Sequence, residues 1–421
     1  MIDRHFLREH ADLVAENNRR RGKEIDVQVA VGLIDKRLDI LGKTEQRRAQ
    51  ANEVAKRIGA ASPADREPLK EEGKRLKEEV KGLEAQLAVL DQDLAAEMRK
   101  YPNMLQADVP EGMDEKDNLE LREVGRPTEF SFEPKDHMAL GTALGIIDNE
   151  RAAKVSGSRF TYLKGDLVLL QMAIVHYTLS TLVKEGFVPI IPPHIISRES
   201  MAGMGYLDHG GEEEIYHLKN DDAVLIGTSE QAIGPMFKDE TLDGALMPMR
   251  FVGYSPCYRR EAGSFGKDVG GILRLHQFDK IEMFSFTRPE QSNPEHEFLL
   301  SMEEKLMQGL GLPYRVLKLC SRDTGTPSSR TYDIETWIPS QKKYRETHST
   351  SNTTDFQTRR LNIRYKSGKE KGYAHALNGT AFALGRIMIA ILENNQREDG
   401  SVVVPEVLRA LAGKDVMGKK L

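Results

Sequence analysis

The residues best suited to chemistry lie together in residues 257–284, CYRREAGSFGKDVGGILRLHQFDKIEMF. The stretch opens with a cluster of charge at Arg259, Arg260 and Glu261. A glycine-punctuated loop follows, with Gly263, Gly266, Gly270 and Gly271. A guanidinium group matches a phosphate or a carboxylate bidentately, and glycine lets a loop close over a ligand at little steric cost. The pattern therefore predicts a clamp for phosphate and carboxylate groups, although an ordinary hairpin with surface arginines would share it.

Strands are needed to hold this clamp in place. Residues 273–284 alternate between apolar and polar side chains, which predicts a strand with one buried face. Further strands are predicted at residues 223–226, 249–254, 314–319 and 331–337. Hairpin-like loops, rather than regular crossover helices, join these segments, so we expect an α+β fold with a mostly antiparallel sheet.

The N-terminal part of the chain has a different pattern. After a polar, helical segment over residues 1–24, apolar residues recur at helical spacing from about residue 27. A break rich in turn-forming residues spans 59–68, and a heptad seam follows it. The seam residues are Leu69, Leu76, Val80, Leu83, Leu87, Leu90 and Leu94. Two long helices and one turn predict an antiparallel coiled-coil hairpin over residues 27–98.

The surface of this predicted arm carries a small excess of positive charge. Residues 43–81 contain eleven basic and eight acidic side chains. Mixed charge of this kind is typical of any solvated coiled coil, so charge alone does not establish an RNA-binding surface.

Size and composition restrict the class of protein. A chain of 421 residues exceeds one ordinary core, so we expect two or three domains with a linker over residues 101–117. The formal net charge of −5 gives no global attraction for nucleic acid. The charged N-terminus and the interrupted apolar run at 167–183 predict neither a signal peptide nor a membrane span. Two cysteines without CxxC spacing argue against disulfides and zinc. We expect a cytoplasmic enzyme.

Three segments carry a resemblance to a known family. Residues 258–284 resemble motif 2 of the class II aminoacyl-tRNA synthetases, in the form found in seryl-tRNA synthetases. Residues 186–207, GFVPIIPPHIISRESMAGMGYL, resemble motif 1, and residues 378–396, NGTAFALGRIMIAILENNQ, resemble motif 3. The motifs occur in the family's order, and with the arm the resemblance covers nearly the whole chain.

The resemblance implies an architecture and an activity. Residues 1–104 would form a tRNA-binding domain, and residues 105–421 a class II catalytic domain with helices flanking its sheet. The implied reaction is ATP-dependent ligation of L-serine to tRNA(Ser) through seryl-adenylate, and also serylation of tRNA(Sec) where that tRNA exists. Motif 1 builds the subunit interface in the family, which implies a homodimer.

Residues for ATP and catalysis are implied by position in the motifs. Arg259 matches the arginine that bridges the α-phosphate and the amino-acid carboxylate, and Arg386 matches the one at the far end of the triphosphate. With Glu261 they form the predicted catalytic set, and Phe278 matches the ring on which adenine stacks. The implied ATP-binding residues are Arg259, Arg260, Glu261, Phe278, Glu346, Thr347, His348, Ser349 and Arg386.

A magnesium ion is implied as well. Glu346 and Ser349 correspond to the family's metal-and-ATP pair, and Mg²⁺ prefers such oxygen ligands together with water and phosphate. Thr347 and His348 stand where the commoner pattern has a small aliphatic residue and a serine. We interpret His348 as a structural variant.

The remaining implied residues bind serine and tRNA. Carboxylates would hold the ammonium group, and hydrogen bonds to the hydroxyl would reject alanine. The implied serine-binding residues are Thr228, Ser229, Glu230, Arg259, Glu282, Asn378 and Thr380. On the arm, the expected tRNA contacts are Arg47, Arg48, Lys74 and Arg75.

Three other functions each fit part of the sequence. A paralogue that loads an amino acid onto a carrier protein would not need the long arm. A non-catalytic RNA-binding module would not need the full set of charged site residues. A coiled-coil scaffold would account only for residues 27–98.

Overall fold

A computed structural model of the chain describes residues 1–208, 211–262 and 271–418. Three glycines of the predicted loop, Gly263, Gly266 and Gly270, lie outside the described residues. The described chain divides into two compact units, Met1–Met104 and Leu105–Leu421.

The α-helices of the first unit are α1 (Arg4–Glu9), α2 (Ala11–Arg20), α3 (Val27–Ala60) and α4 (Pro63–Met98). Those of the second unit are α5 (His137–Leu144), α6 (Asn149–Ser156), α7 (Asp166–Lys184), α8 (Arg198–Met204), α9 (Glu230–Ile233), α10 (Ser292–Leu310), α11 (Phe356–Arg360), α12 (Leu384–Asn394) and α13 (Glu406–Ala412).

The β-strands all belong to the second unit, within the described residues. They are β1 (Leu119–Val124), β2 (Ile147–Asp148), β3 (Tyr162–Leu163), β4 (Val188–Ile190), β5 (Ile195–Ser197), β6 (Ala223–Leu225), β7 (Thr241–Asp243), β8 (Met249–Tyr258), β9 (Gln277–Thr287), β10 (Tyr314–Lys318), β11 (Arg330–Ile338), β12 (Lys343–Asn352), β13 (Arg364–Ser367), β14 (Glu370–Tyr373), β15 (His375–Ala383), β16 (Val402–Val403) and β17 (Val416–Met417).

The first unit is dominated by the predicted helical hairpin. Helices α3 and α4 pack along each other, and at ~1.5 Å per residue each extends about 50 Å. The Asp26 carboxylate caps α3 by accepting a hydrogen bond from the backbone N–H of Gln28. The predicted break is wrong in its extent, because Pro63 fits the first helical position and α4 continues through Pro68.

The second unit is organised around one large sheet. Its strand order is β1-β10-β11-β12-β15-β9-β8-β4, and its pairs are antiparallel except for the parallel pair of β4 and β8. The predicted α+β class and the mostly antiparallel sheet are therefore confirmed. Strands occur in all five predicted segments, although β9 begins at Gln277 rather than at residue 273. Strands β12 and β15 were not predicted as strands.

Helices cover the face of the sheet opposite the candidate site. Helix α10 packs against β9, β12 and β15, while α12 packs against β9 and β11. In α12 every residue from Ile387 to Asn394 is buried, so this helix forms part of the central core. Helix α7 is long and apolar enough to cross a membrane by length and composition, but 50% of that window is buried inside the structure, as in an ordinary core helix.

Candidate active site

A cavity of about 460 Å³ lies on the open face of the sheet, over β9, β12 and β15. Most of the site residues predicted from the motifs line it, although they come from distant parts of the chain. These are Thr228, Glu230, Arg259, Glu261, Phe278, Glu282, Glu346, Thr347, Ser349, Asn378, Thr380 and Arg386.

Strand β9 supplies the floor of one end of the cavity. Because side chains alternate between the two faces of a strand, Phe278, Lys280 and Glu282 point to the same side. Thr380 is the direct cross-strand partner of Glu282 on β15, and its hydroxyl donates a 3.0 Å hydrogen bond to Glu282 Oε2. Lys280 Nζ lies 2.5 Å from the same oxygen. This end of the cavity therefore holds a buried carboxylate with fixed donors.

A second buried carboxylate, Glu230, faces the same end. It begins the short helix α9 and accepts a hydrogen bond from the hydroxyl of Tyr206. Burial, and next the charge of Glu282, raise the pKa of Glu230 to about 7, against the opposing effect of Lys280. Two buried carboxylates that face one cavity suit a cationic group of a ligand.

Arg259 occupies the centre of the cavity. It follows directly after β8, where its backbone N–H donates to the carbonyl of His276 at 3.0 Å and fixes the chain. Its Nε donates to the carbonyl of Gly227 at 3.3 Å, and its guanidinium carbon lies 5.3 Å from the centre of the Phe278 ring. The guanidinium group thus stands between the buried carboxylates and the far end of the cavity.

The far end is lined by Arg386 and Glu346. Arg386 Nη1 donates to Glu346 Oε1 at 2.9 Å and to the Glu346 carbonyl at 3.0 Å. The side chain of Glu346 is 51% exposed, so loss of water raises the pKa of its carboxyl less than the charges of Arg386, Arg259 and Arg274 lower it, and the pKa lies below the ordinary value. The concentration of guanidinium groups favours an anionic ligand here.

A bulge in β12 allows Glu346 and Ser349 to share the cavity. Residues three apart on a regular strand point to opposite faces, since the period is two. Here Ser349 pairs with Asp333 and Glu346 pairs with Glu335, with Thr347 as the extra residue. The bulge moves Glu346 onto the face of Ser349.

Three predicted site residues are not part of this lining. His348 points to the opposite face of β12, where its ring packs 5.2 Å from that of Phe382 and burial lowers its pKa to about 3. Ser229 is fully buried and donates to the Gly253 carbonyl at 3.4 Å. Arg260 is exposed, and its backbone N–H donates to the Glu214 carbonyl at 2.9 Å.

Comparison with known proteins gives matches along the whole chain. Residues 1–105 match the family model of the seryl-tRNA synthetase N-terminal domain. Residues 215–395 match the core domain of class II tRNA synthetases for G, H, P, S and T. The serine–tRNA ligase of Rubrobacter xylanophilus is 43% identical over 420 residues, 99% of each chain. The chain belongs to the serine–tRNA ligase family.

Solved structures of this family agree. The seryl-tRNA synthetase of Pyrococcus horikoshii, a complex with ATP, superposes with a TM-score of 0.92 at 36% identity and full coverage of both chains. The cytoplasmic serine–tRNA ligase of Naegleria fowleri, a complex with AMP, gives a TM-score of 0.88 at 28% identity, covering 100% of this chain and 99% of that one. The chain is therefore a class II aminoacyl-tRNA synthetase, a ligase.

The oxygen atoms at the far end fit the magnesium ion expected for serine–tRNA ligases. Glu346 and Ser349 line the cavity, and the carboxylate of Asp333 lies beside Ser349 with its Oδ1 buried and without a hydrogen bond from the described residues. Hard oxygen donors of this kind, completed by phosphate and water, suit Mg²⁺. Within the described ranges, no group of three or more His, Cys, Asp or Glu side chains is arranged to hold a metal ion.

Sequence reasoning missed Lys280, Tyr206 and Arg274. Lys280 is two residues from both Phe278 and Glu282, so the alternation of β9 was a sufficient signal to find it. Arg274 Nη1 donates to Glu261 Oε2 at 3.2 Å, which holds Glu261 at the cavity wall. Tyr206 contacts Glu230 from the segment after α8, and no local sequence pattern predicts that contact.

The arm residues expected to contact tRNA all belong to the first unit, and their neighbours there are side chains of the same hairpin. Arg47 pairs with Glu79 at 3.0 Å, and Arg48 pairs with Glu84 at 2.6 Å, in both cases across the hairpin. Arg75 also approaches Glu79, at 3.7 Å. Lys74 lines a shallow groove between the helices together with Lys70, Lys77 and Lys81. These exposed side chains remain available to a polyanion, since surface ion pairs are weak.

Proposed function

We propose that this chain activates L-serine with ATP to form seryl-adenylate and then transfers the seryl group to tRNA(Ser). The observation that carries this proposal is the sequence of charges along one cavity. Buried carboxylates stand at one end, Arg259 at the centre, and Arg386 with Glu346 at the other end. An amino acid and a triphosphate require this order of charges.

The first step joins two anions. The serine ammonium is held at Glu230 with Thr228 beside it, and Glu282 and Thr380 receive the hydroxyl. Asn378 completes this subsite. Arg259 holds the serine carboxylate against the α-phosphate. One carboxylate oxygen attacks phosphorus and the bond to pyrophosphate breaks, so that catalysis consists mainly of positioning and charge stabilisation.

ATP occupies the remainder of the cavity. Adenine stacks on Phe278, and Arg386 takes the far end of the triphosphate. Glu346 and Ser349 would hold Mg²⁺, and the bound ion would neutralise phosphate charge. Glu261 acts with Arg259 at the reacting centre, held by Arg274.

The second step transfers the seryl group to tRNA. The terminal ribose hydroxyl of the tRNA attacks the carbonyl carbon, and AMP leaves. We assign no protein residue as general base. The hairpin of residues 27–98 grips tRNA(Ser) through its backbone and shape, with Arg47, Arg48, Lys74 and Arg75 among the contacts. The same arm would accept tRNA(Sec) where it exists. The enzyme works in the cytoplasm.

We propose that the active form is a homodimer. Helix α7 and the motif 1 region that follows it expose seven large apolar side chains, with Ile191 79% exposed. These residues are Val168, Leu169, Met172, Val183, Val188, Ile191 and Ile195. They lie on α7 and β5 and around β4, which is an edge strand of the sheet. A patch of this kind marks an interaction surface.

The deciding experiment is ATP–pyrophosphate exchange by the purified full chain with serine, threonine, alanine or no amino acid. Exchange that depends on serine establishes activation, and addition of tRNA then tests transfer. Absence of exchange with every amino acid, from folded dimer, rejects the proposed activity and favours an RNA-binding role. The tRNA contacts are tested separately: Lys74→Glu should raise the KM for tRNA and leave exchange unchanged. Lys116→Glu, at an exposed lysine of the second unit, is the charge-matched control.

A further inference from the structure

Lys280 is a buried cation at the amino-acid end of the cavity, and neither of the proposed steps uses it. It lies on the cavity face of β9 between Phe278 and Glu282, and its side chain is only 8% exposed. Its Nζ lies 2.5 Å from Glu282 Oε2. Long basic side chains are rarely buried without a partner that requires them.

The geometry around Glu282 is asymmetric. Both protein donors, Lys280 Nζ and the Thr380 hydroxyl, converge on Oε2. No described residue donates a hydrogen bond to Oε1. Glu282 therefore has one oxygen fixed by the protein and one available to a ligand in the cavity.

The balance of charge at this end depends on the same lysine. Glu230 and Glu282 would repel each other in a low-dielectric pocket. The ammonium group of Lys280 offsets one of these two charges, and Arg259 stands further along the cavity. One uncompensated carboxylate then remains, which matches the single positive charge of an amino acid's ammonium group.

We infer that Lys280 is a positioning residue for side-chain recognition, which clamps Glu282 Oε2 so that Oε1 accepts the substrate hydroxyl and Glu230 receives the ammonium group. This inference rests on the proposed activation of serine. It assigns discrimination against alanine to the pair of Lys280 and Glu282, because alanine would leave the oriented carboxylate oxygen without a donor. Threonine also carries a hydroxyl, so its rejection does not depend on Lys280.

The test is Lys280→Met, which keeps the length of the side chain and removes its charge. In serine-dependent ATP–pyrophosphate exchange we expect the KM for serine to rise about 10- to 100-fold, the range expected for a charged hydrogen bond. The KM for ATP should stay within about twofold. The ratio of kcat/KM for serine over alanine should fall by about tenfold, while the ratio for serine over threonine changes little.

A double mutant distinguishes a role of Lys280 in positioning Glu282 from a general disruption of the site. Glu282→Gln alone leaves the Lys280 ammonium group without its partner next to the substrate's own ammonium group, so its loss of serine affinity should be the largest. Lys280→Met combined with Glu282→Gln removes that repulsion and any unpaired buried charge. We expect the double mutant to bind serine at least about fivefold better than the product of the single effects predicts.

The matched control breaks another ion pair, which joins strand β8 of the same sheet to helix α10. Arg250 Nη2 lies 2.7 Å from Glu295 Oε2, outside the cavity. Arg250→Met should lower the melting temperature without changing the serine-to-alanine ratio. A folded Lys280→Met variant with wild-type KM for serine and an unchanged ratio overturns the inference, as does strict additivity in the double mutant. Failure of the wild-type enzyme to exchange with serine is a different result, because it rejects the proposed function itself.

Discussion

The two ends of the cavity hold their charges in opposite ways. At the amino-acid end, Glu230 and Glu282 are buried and already bonded to Tyr206, Thr380 and Lys280. At the phosphate end, the side chain of Glu346 is 51% exposed and its main partner is Arg386. The amino-acid end is therefore a preorganised polar site. The phosphate end is a half-exposed ion pair that a ligand can rearrange.

This difference fits the ligand that we propose for each end. A small hydroxylated amino acid differs from its competitors by single atoms, so donors and acceptors must be fixed before it binds. A triphosphate is identified by its charge, and guanidinium groups suffice to bind it. The following experiments test this contrast, in order of decreasing effect.

The largest loss of activity is expected on substitution of Arg259, which lies between the two ends of the cavity. Arg259→Ala should lower kcat/KM for serine-dependent ATP–pyrophosphate exchange by about 10²- to 10³-fold, because the variant loses charge stabilisation at the reacting centre. The control is Arg288→Ala, at the end of β9, which pairs with Glu290 away from the cavity. A loss of less than about tenfold in a folded Arg259 variant would remove Arg259 from the reacting centre.

The second prediction compares stability at the two ends. Breaking the buried pair with Lys280→Met should lower the free energy of unfolding by about 3–5 kcal/mol. Glu346→Gln, at the exposed pair, should change it by less than about 1 kcal/mol. Urea titration followed by fluorescence of Trp337, the single tryptophan, reports on the second unit. Equal changes in the free energy of unfolding for the two variants would contradict the difference between a buried and an exposed ion pair.

A third prediction concerns a carboxyl group beneath the amino-acid end. Glu303 on α10 is fully buried, and neither of its carboxyl oxygens has a hydrogen bond from the described residues. Its Oε1 lies 3.0 Å from the position that a Cβ on Gly379 would occupy. Burial, and next the charge of Glu282, raise the pKa of Glu303 well above its ordinary value.

A raised folded-state pKa means that Glu303 destabilises the protein progressively as the pH rises above the unfolded pKa. Each pH unit in that window should cost about 1.4 kcal/mol. Glu303→Gln removes this titration, so its stability relative to wild type should increase from pH 5 to pH 7. Urea titrations at both pH values measure the difference, with Glu297→Gln on the exposed side of α10 as the control. A pH-independent difference would show that Glu303 is ionised in the folded protein.

The smallest effect is the pH dependence of serine binding. Glu230, with a pKa of about 7, must be ionised to bind the ammonium group, so kcat/KM for serine should rise with pH up to that value. Below about pH 7 the change should approach tenfold per pH unit. For the Glu230→Gln variant, kcat/KM for serine should be low and should not change with pH over the same range. A wild-type profile without this ascending limb would show that Glu230 is already ionised in the free enzyme.

Much of the fold was predictable because its signals are local. The heptad seam of α4 and the alternation of β9 are repeated side-chain patterns, and each follows from the geometry of one element. Strand β12 was not predicted because it lacks such a local pattern. Strand β12 has few apolar residues, and its buried hydroxyl groups are satisfied by hydrogen bonds such as those of Thr331 with Ser351 and of Thr336 with Thr347.

The sequence by itself determined the family, the helical arm and the chemical types at the site, since the three motifs fix which residues are present and in what order. Only the tertiary structure decided which of them face one another. The bulge at Thr347 brings Glu346 to the side of Ser349, while His348, the neighbour of Ser349 on the strand, faces the other way. The register between β9 and β15 sets Thr380 against Glu282, which is 98 residues away in the chain. Such contacts depend on the alignment of backbone hydrogen bonds between strands, and no local pattern of side chains encodes that alignment.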